Sequence, residues 1–202
     1  MKKENMFLYL TAYLALLIPI PGRFVYGFTI MTEVIFLSII GSLSVLIIEK
    51  IKFEQLKSIL FILILVSFSI LFRQIIVMIN PQVALTLGFI FFLPPVSIFI
   101  LNILFTQKSG NFLAQFKHTI FKTLFFTLGG MIIFLIRDIF GYGTFTFFGK
   151  NHFIYEKLLF NENSVGIFSL LASIPGVLII LGIIYFIFIQ ISKKIDILKN
   201  KE

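Results

Sequence analysis

The sequence predicts an all-α integral membrane protein of about six membrane-crossing helices, and three observations predict it. Hydrophobic residues make up 59% of the 202 and charged residues only 13%, giving a mean hydropathy of +1.08. A soluble domain of this size leaves roughly a third of its unfolded-chain surface in water, so a chain this apolar needs lipid to cover the remainder. The apolar residues also fall in runs of about 20, the length that crosses a hydrocarbon core, with turn residues or lysines between the runs. Phe supplies 28 residues, whereas Trp and Cys are absent.

The first run, about Met6 to Ile20, is short and follows Met1-Lys2-Lys3 as a signal peptide would. It ends in Pro19-Ile20-Pro21-Gly22 with no small-x-small cleavage pattern, so it is expected to be a retained span. Span two runs about Phe24 to Ile48 and exits at Lys50 and Lys52. Span three covers about Ile59 to Ile79, and Asn80-Pro81 then turns the chain, because proline drives the residue before it out of the helical region. Span four covers about Val83 to Phe105, with Pro94-Pro95 in its middle. The polar stretch from Gln107 to Lys122 carries Phe112, Leu113, Phe116, Ile120 and Phe121 at near-helical spacing. It reads either as a helix lying in the membrane interface or as a loop leading into the next span. Span five covers about Leu124 to Phe140, and Gly141-Tyr142-Gly143-Thr144 opens a longer loop to Ser164. Span six covers about Val165 to Ile191, carries Pro175-Gly176 and ends in a tail with Lys193, Lys194, Lys199 and Lys201. The whole chain, 1–202, is expected to form a single membrane domain.

The net charge of +8 does not indicate nucleic acid, because the basic residues are scattered between apolar runs and flank them. With six spans, twelve lysines share one face: Lys2, Lys3, Lys50, Lys52, Lys57, Lys108, Lys117, Lys122 and the four of the tail. The other face has five basic residues, Arg23, Arg73, Arg137, Lys150 and Lys157. The positive-inside bias therefore places both termini on the cytoplasmic side of the cell's inner membrane.

Four features bear on chemistry. Each proline in the middle of a span removes a backbone donor and disturbs a carbonyl, at a cost of about 3 kcal/mol, and the freed groups need partners inside the protein. Interrupted spans at positions one and four point to two inverted halves, about 1–80 and 81–202, with a site near the midplane; the alternative is that Pro94 and Pro95 simply kink a helix. Glu33 lies about ten residues into span two, where an ionised carboxylate is expensive, so it is expected to be neutral, paired or facing water. It is either an ion or proton site or a neutral side chain bonded to a nearby backbone. Arg73, near the end of span three, reads as an interface anchor or as the partner of Glu33, and Arg137-Asp138 as a local ion pair at the interface. His118 and His152 sit in loops without a second ligand at metal spacing. Adjacent Gly129 and Gly130 would allow helices to approach closely. No phosphate-binding glycine loop, hydrolase triad or paired catalytic carboxylates occur in the sequence, so nothing in it indicates an enzyme acting alone.

Several segments together resemble one family. Arg137-Asp138-Ile139-Phe140-Gly141-Tyr142-Gly143-Thr144-Phe145 resembles the Arg-Glu-Ile-Leu-Gly-x-Gly-Thr-Leu stretch of the small membrane subunits of Rnf and Nqr electron-transport complexes, the RnfE/NqrD type. Pro81 to Gly88 followed by Phe89-Ile90-Phe91-Phe92-Leu93-Pro94 is similar to that family's Pro-x6-Gly-Ile-Phe-x-Pro-Leu segment. Ser173-Ile174-Pro175-Gly176, an apolar run and Lys193-Lys194 resemble its C-terminal Leu-Pro-Pro-Gly-x-Phe span and basic end. Each motif is short, but their order holds over roughly Asn5 to Lys194.

The resemblance implies six helices in two inverted halves within a redox-driven sodium or proton pump. It also implies one Cys per half, so that two such subunits together ligate a two-iron, two-sulfur cluster. Here the second place holds Ser97 and Ile98, and the first falls near Tyr13 or Leu14. Clusters of this kind are held by thiolates, and a chain without Cys supplies none, so no cofactor of its own is expected. Glu33 stands where the family usually has an uncharged residue. The expected function is a membrane subunit of an Rnf/Nqr-like electron-transport or ion-translocating complex. Its partners would be other membrane subunits, among them a homologous six-helix subunit, and the lipid bilayer. The alternative is the substrate-binding membrane component of a vitamin or small-solute transporter, and a third possibility is a protein that only packs against partners.

Overall fold

A computed structural model describes residues 12, 14–48, 54–105, 112–149, 153–160 and 169–199. The first part of the expected first span, residues 6–11, together with Lys2, Lys3, Tyr13, Lys50, Lys52, Lys108, Lys150, His152 and Lys201, lies outside the described residues. Residues 14–17 are helical and lead into the non-helical Pro19–Gly22 break. Helix α1 (Phe24–Ile48) follows, then α2 (Glu54–Ile79) and a short α3 (Pro81–Leu87). A 3-10 turn, Gly88–Phe92, joins α3 to α4 (Leu93–Phe105). Helix α5 (Phe112–Ile136) ends in a π turn, Arg137–Tyr142. A hairpin of β1 (Thr144–Phe148) and β2 (Ile154–Leu158) precedes the short α6 (Ser169–Ala172) and the long α7 (Ile174–Lys199).

Four stretches are long and apolar enough to cross a membrane: Phe24–Ile48, Leu56–Ile79, Pro81–Phe99 and Leu113–Tyr142. Ile174–Ile187 is a shorter apolar helix. Their outer faces carry large apolar side chains, with Met78 and Leu85 each 78% exposed and Phe89 and Phe125 each 76%. Such a continuous apolar exterior is stable only when something other than water covers it, as lipid does.

Three expectations change in detail. The polar stretch before span five is neither a loop nor a separate interfacial helix where it is described: from Phe112 it continues directly into α5. The expected long loop after Tyr142 contains an antiparallel hairpin, with Thr144 opposite Leu158 and Phe148 opposite Ile154. Pro94 and Pro95 do not interrupt a helix. They occupy the first turn of α4, where no helical partner awaits their missing N–H groups. The interruption lies earlier, at Gly88, whose φ of +42° closes α3. A non-glycine residue would be strained in that conformation.

The turn at Asn80-Pro81 is tight. Asn80 Oδ1 accepts from Val83 N at 3.0 Å and Pro81 takes the first position of α3, so the chain reverses without leaving an uncapped N-terminus. The Asn80 side chain also donates to the Phe153 carbonyl at 3.2 Å, which ties the hairpin to this end of the bundle.

Helices α1 and α5 form the closest pair. At Gly27 an added Cβ would lie 2.1 Å from Phe134 Cγ, and at Gly130 it would lie 2.5 Å from Met31 Cε. Ser38 and Thr123 share a hydrogen bond across the same seam at 2.8 Å. Small residues and hydroxyls of this kind let helices approach where no hydrophobic force separates protein from lipid. Phe134 is fully buried and cannot swing away. Gly27→Ala is therefore expected to destabilise by about 1–3 kcal/mol, the usual cost of overpacking. Gly182→Ala, where nothing lies within 4 Å, should be neutral. Thermal unfolding of both variants in detergent checks the contrast.

Candidate functional site

Two buried polar networks stand out, one at the end of the bundle that carries the hairpin and one in the middle of the apolar stretches. The first is built on Arg137 and Asp138. In an α-helix, consecutive residues point about 100° apart, but the π turn, with its longer hydrogen-bonded loop, carries both side chains inward. Arg137 is 1% exposed and Asp138 0%. They form no ion pair with each other; each is used on other partners, which corrects the expected local pair. The Arg137 guanidinium donates to the carbonyls of Leu17 at 3.3 Å, Ile20 at 3.2 Å and Ala172 at 3.0 Å. These acceptors are carbonyls at the Pro19–Gly22 break and at the end of α6, groups that a terminated helix leaves without partners. The guanidinium carbon lies 5.5 Å from the Phe134 ring centroid, and Nε has no hydrogen-bond partner.

The Asp138 carboxylate accepts four hydrogen bonds. Oδ2 takes Phe24 N at 3.1 Å, Thr146 N at 2.7 Å and Thr146 Oγ1 at 2.7 Å, and Oδ1 takes Thr144 Oγ1 at 2.9 Å. A carboxylate at the first N–H of α1 also sits at the positive end of the helix dipole. Thr144 and Thr146 alternate inward on β1, while Phe145 and Phe147 lie on its other face and pack at 5.6 and 6.3 Å from Phe24. Arg23 bonds Glu156 of β2 at 2.8 Å and lies 5.6 Å from the Tyr142 ring centroid. Glycines make the junction fit: an added Cβ at Gly141 would lie 2.7 Å from Ala172 N, and one at Gly22 would lie 3.1 Å from Ala172 O. Six charged or polar side chains, Arg23, Arg137, Asp138, Thr144, Thr146 and Glu156, thus hold the chain between α1, the π turn, the hairpin and α6.

The second network centres on Glu33, which is 0% exposed and lies nine residues into α1, about 14 Å along the helix at its 1.5 Å rise. Ser69 Oγ lies 2.7 Å from Glu33 Oε1 and 2.6 Å from the Phe91 carbonyl oxygen. Phe91 belongs to the 3-10 turn, and its carbonyl meets a side chain of α2. A hydroxyl has one proton and a carbonyl can only accept. If the Ser69 proton goes to Phe91, the short contact with Glu33 needs a second proton, and only a neutral Glu33 carboxyl carries one. The chain is then Glu33 O–H to Ser69 O–H to Phe91 C=O. An ionised Glu33 would set two acceptors against one proton. The two buried acids thus have opposite surroundings: Asp138 receives four donors, whereas Glu33 meets a single hydroxyl that a carbonyl also engages.

Arg73 lies one turn beyond Ser69 on α2, so Ser69, and not Arg73, is the hydrogen-bond partner of Glu33. Among the described residues, Glu33 Oε2, Arg73 Nε and Ser97 Oγ are buried without a hydrogen-bond partner. Pro94 and Pro95 are buried beside this network but supply no polar group to it. Ser97 and Ile98 are buried in α4. A hydroxyl and a hydrocarbon do not fit the thiolate chemistry of an iron–sulfur cluster, and among the described residues no three His, Cys, Asp or Glu side chains gather as metal ligands. Comparison with protein-family models, curated proteins and solved structures finds no match.

Sequence reasoning singled out Glu33, Arg73, Arg137 and Asp138 but missed Ser69, Thr144 and Thr146. The Thr-Phe-Thr-Phe alternation from Thr144 to Phe147 was the available signal for the threonines. Ser69 carried none, being one of several serines in an apolar run.

Proposed function

We propose that this chain is a membrane subunit of an Rnf/Nqr-like electron-transport or ion-translocating complex and holds no redox cofactor of its own. The observation that carries the reading is that two of the three motif-bearing segments, set apart in sequence, meet in one buried unit. Arg137 of the Arg-Asp-Ile-Phe-Gly-Tyr-Gly-Thr stretch bonds Ala172, next to the Ser173–Gly176 motif, and the Pro19–Gly22 break as well. The third segment, Pro81 to Pro94, forms the interrupted helix that receives Ser69 and Glu33. Interruptions near the start of both expected halves, at Pro19–Gly22 and at Gly88–Phe92, support an inverted-repeat order with halves about 1–80 and 81–202. In this reading the chain resides in the cytoplasmic membrane with both ends on the cytoplasmic side, and its neighbours are other membrane subunits, including a homologous six-helix one.

The reading is tested by recovering the chain from its native membrane in mild detergent and identifying what accompanies it by mass spectrometry. Flavin- or nicotinamide-binding subunits are expected. Recovery with ATPase subunits would favour a small-solute transporter instead, and recovery alone at native expression would sink both.

A further inference from the structure

We propose that Glu33 is a proton-exchange site, a carboxyl that releases one proton to solvent water and regains one from it while the helices around it stay in place. It gives the ion-translocating reading above a ligand and a residue, and rests on that reading for its purpose but not for its chemistry. Three observations carry it. Glu33 is fully buried, and its Oε2 has no partner among the described residues. A carboxyl kept only as packing would be expected to have both oxygens bonded, since an unpaired buried acceptor is costly. Its other oxygen is joined through Ser69 to the carbonyl of Phe91, in the one place where this span departs from α-helix. A proton leaving Glu33 therefore leaves a hydroxyl, Ser69 Oγ, that can turn its own proton from Phe91 to the new carboxylate. Phe91 O loses its donor and Glu33 gains one, with no helix needing to move.

On the helix that supplies Ser69, the next charged side chain is Arg73. Arg73 is four residues beyond Ser69, about 6 Å along the same helix, and its buried Nε has no partner among the described residues. Among the described residues, α2 carries Glu54 and Lys57 as well, but both lie 12 or more residues before Ser69, about 18 Å or more along the helix. Residues 81–99 of α3, the 3-10 turn and α4 contain no charged residue, residues 123–136 of α5 contain none, and β1 contains none. Tyr26 is two turns away and bonds Thr86. Arg137 and Asp138 are committed to the far network beside Phe24. Release of the proton thus turns Ser69 from Phe91 to Glu33, and its reversal restores the neutral chain.

Dicyclohexylcarbodiimide, an apolar reagent that adds to protonated carboxyls, tests this on the purified full chain in detergent, read by peptide mass spectrometry. Modification is expected at Glu33 and not at Asp138, and the Glu33 signal should fall several-fold as pH is raised. Glu33→Gln should abolish it while keeping the fold, because the amide N–H can donate to Ser69 as the acid does. A signal independent of pH would overturn the proposal, since it would report a fixed structural proton, and protection by sodium at constant pH would overturn the proton as the ligand. Infrared difference spectra of the unmodified chain against Glu33→Gln give a second readout, independent of whether the reagent can reach the site. The carboxyl C=O band of Glu33 should shift to lower frequency when H2O is replaced by D2O, and an unshifted or absent band would overturn the assignment. None of these outcomes depends on which subunits accompany the chain, so failure here and failure of the complex are told apart.

Discussion

Arg137→Met is expected to destabilise the folded chain by about 3 kcal/mol or more, the sum of three buried carbonyls left without donors at about 1 kcal/mol or more each. The three acceptors, Leu17, Ile20 and Ala172, lie on segments that no regular helix hydrogen bond can satisfy. Methionine keeps most of the volume and removes every donor, so the effect reports the bonds and not a cavity. Arg137→Lys keeps the charge as a single point and cannot span acceptors on two segments as the planar fork does; it should recover less than half of the loss. The measurement is thermal unfolding in detergent followed by circular dichroism. A loss below about 1 kcal/mol for Arg137→Met would show that the breaks are held by other means.

Asp138→Ala is expected to cost a similar amount, roughly 4 kcal/mol, because two backbone amides, those of Phe24 and Thr146, lose their acceptor in a dry site at about 1–3 kcal/mol each. The Thr144 and Thr146 hydroxyls lose it too, but they can rotate. Asp138→Asn separates charge from hydrogen bonding. Its amide oxygen can replace Oδ2 and keep three of the donors, and Thr144 can turn to accept from the amide nitrogen. What remains lost is the negative charge at the start of α1, worth up to about 2 kcal/mol. Asparagine should therefore fall between wild type and alanine in the same unfolding assay. Equal losses for asparagine and alanine would mean that charge alone holds this junction.

The long helices were legible because hydropathy alone reports them: runs such as Phe24–Ile48 need no tertiary knowledge. The tight Asn80-Pro81 turn was legible for the same local reason. The role of Arg137 and Asp138 was not. Opposite charges adjacent in sequence read as a pair, and nothing local reveals that a π turn sends both inward, each to at least one partner more than a hundred residues away. Their acceptors and donors are largely main-chain groups, which every residue possesses and which therefore leave no mark on composition. The hairpin was hidden inside a stretch that reads as loop because its strands have only five residues each. Pro94 and Pro95 marked the interrupted span correctly but not the interruption itself, because proline favours the first turn of a new helix as strongly as it opposes the middle of an old one.

The reach of Arg137 also sets a clock on biosynthesis. Its bond to Leu17 closes a separation of 120 residues. At an elongation rate of about 5–20 residues per second, roughly 6–24 s pass between synthesis of the Pro19–Gly22 break and arrival of the side chain that satisfies it. The Phe24 amide waits nearly as long for Asp138. During that interval the first helices are in the bilayer with open carbonyls and amides at one end, which water or a membrane insertase must cover. A nascent chain halted before Arg137 should accordingly be more sensitive to proteases at residues 18–24 than one released after Thr146.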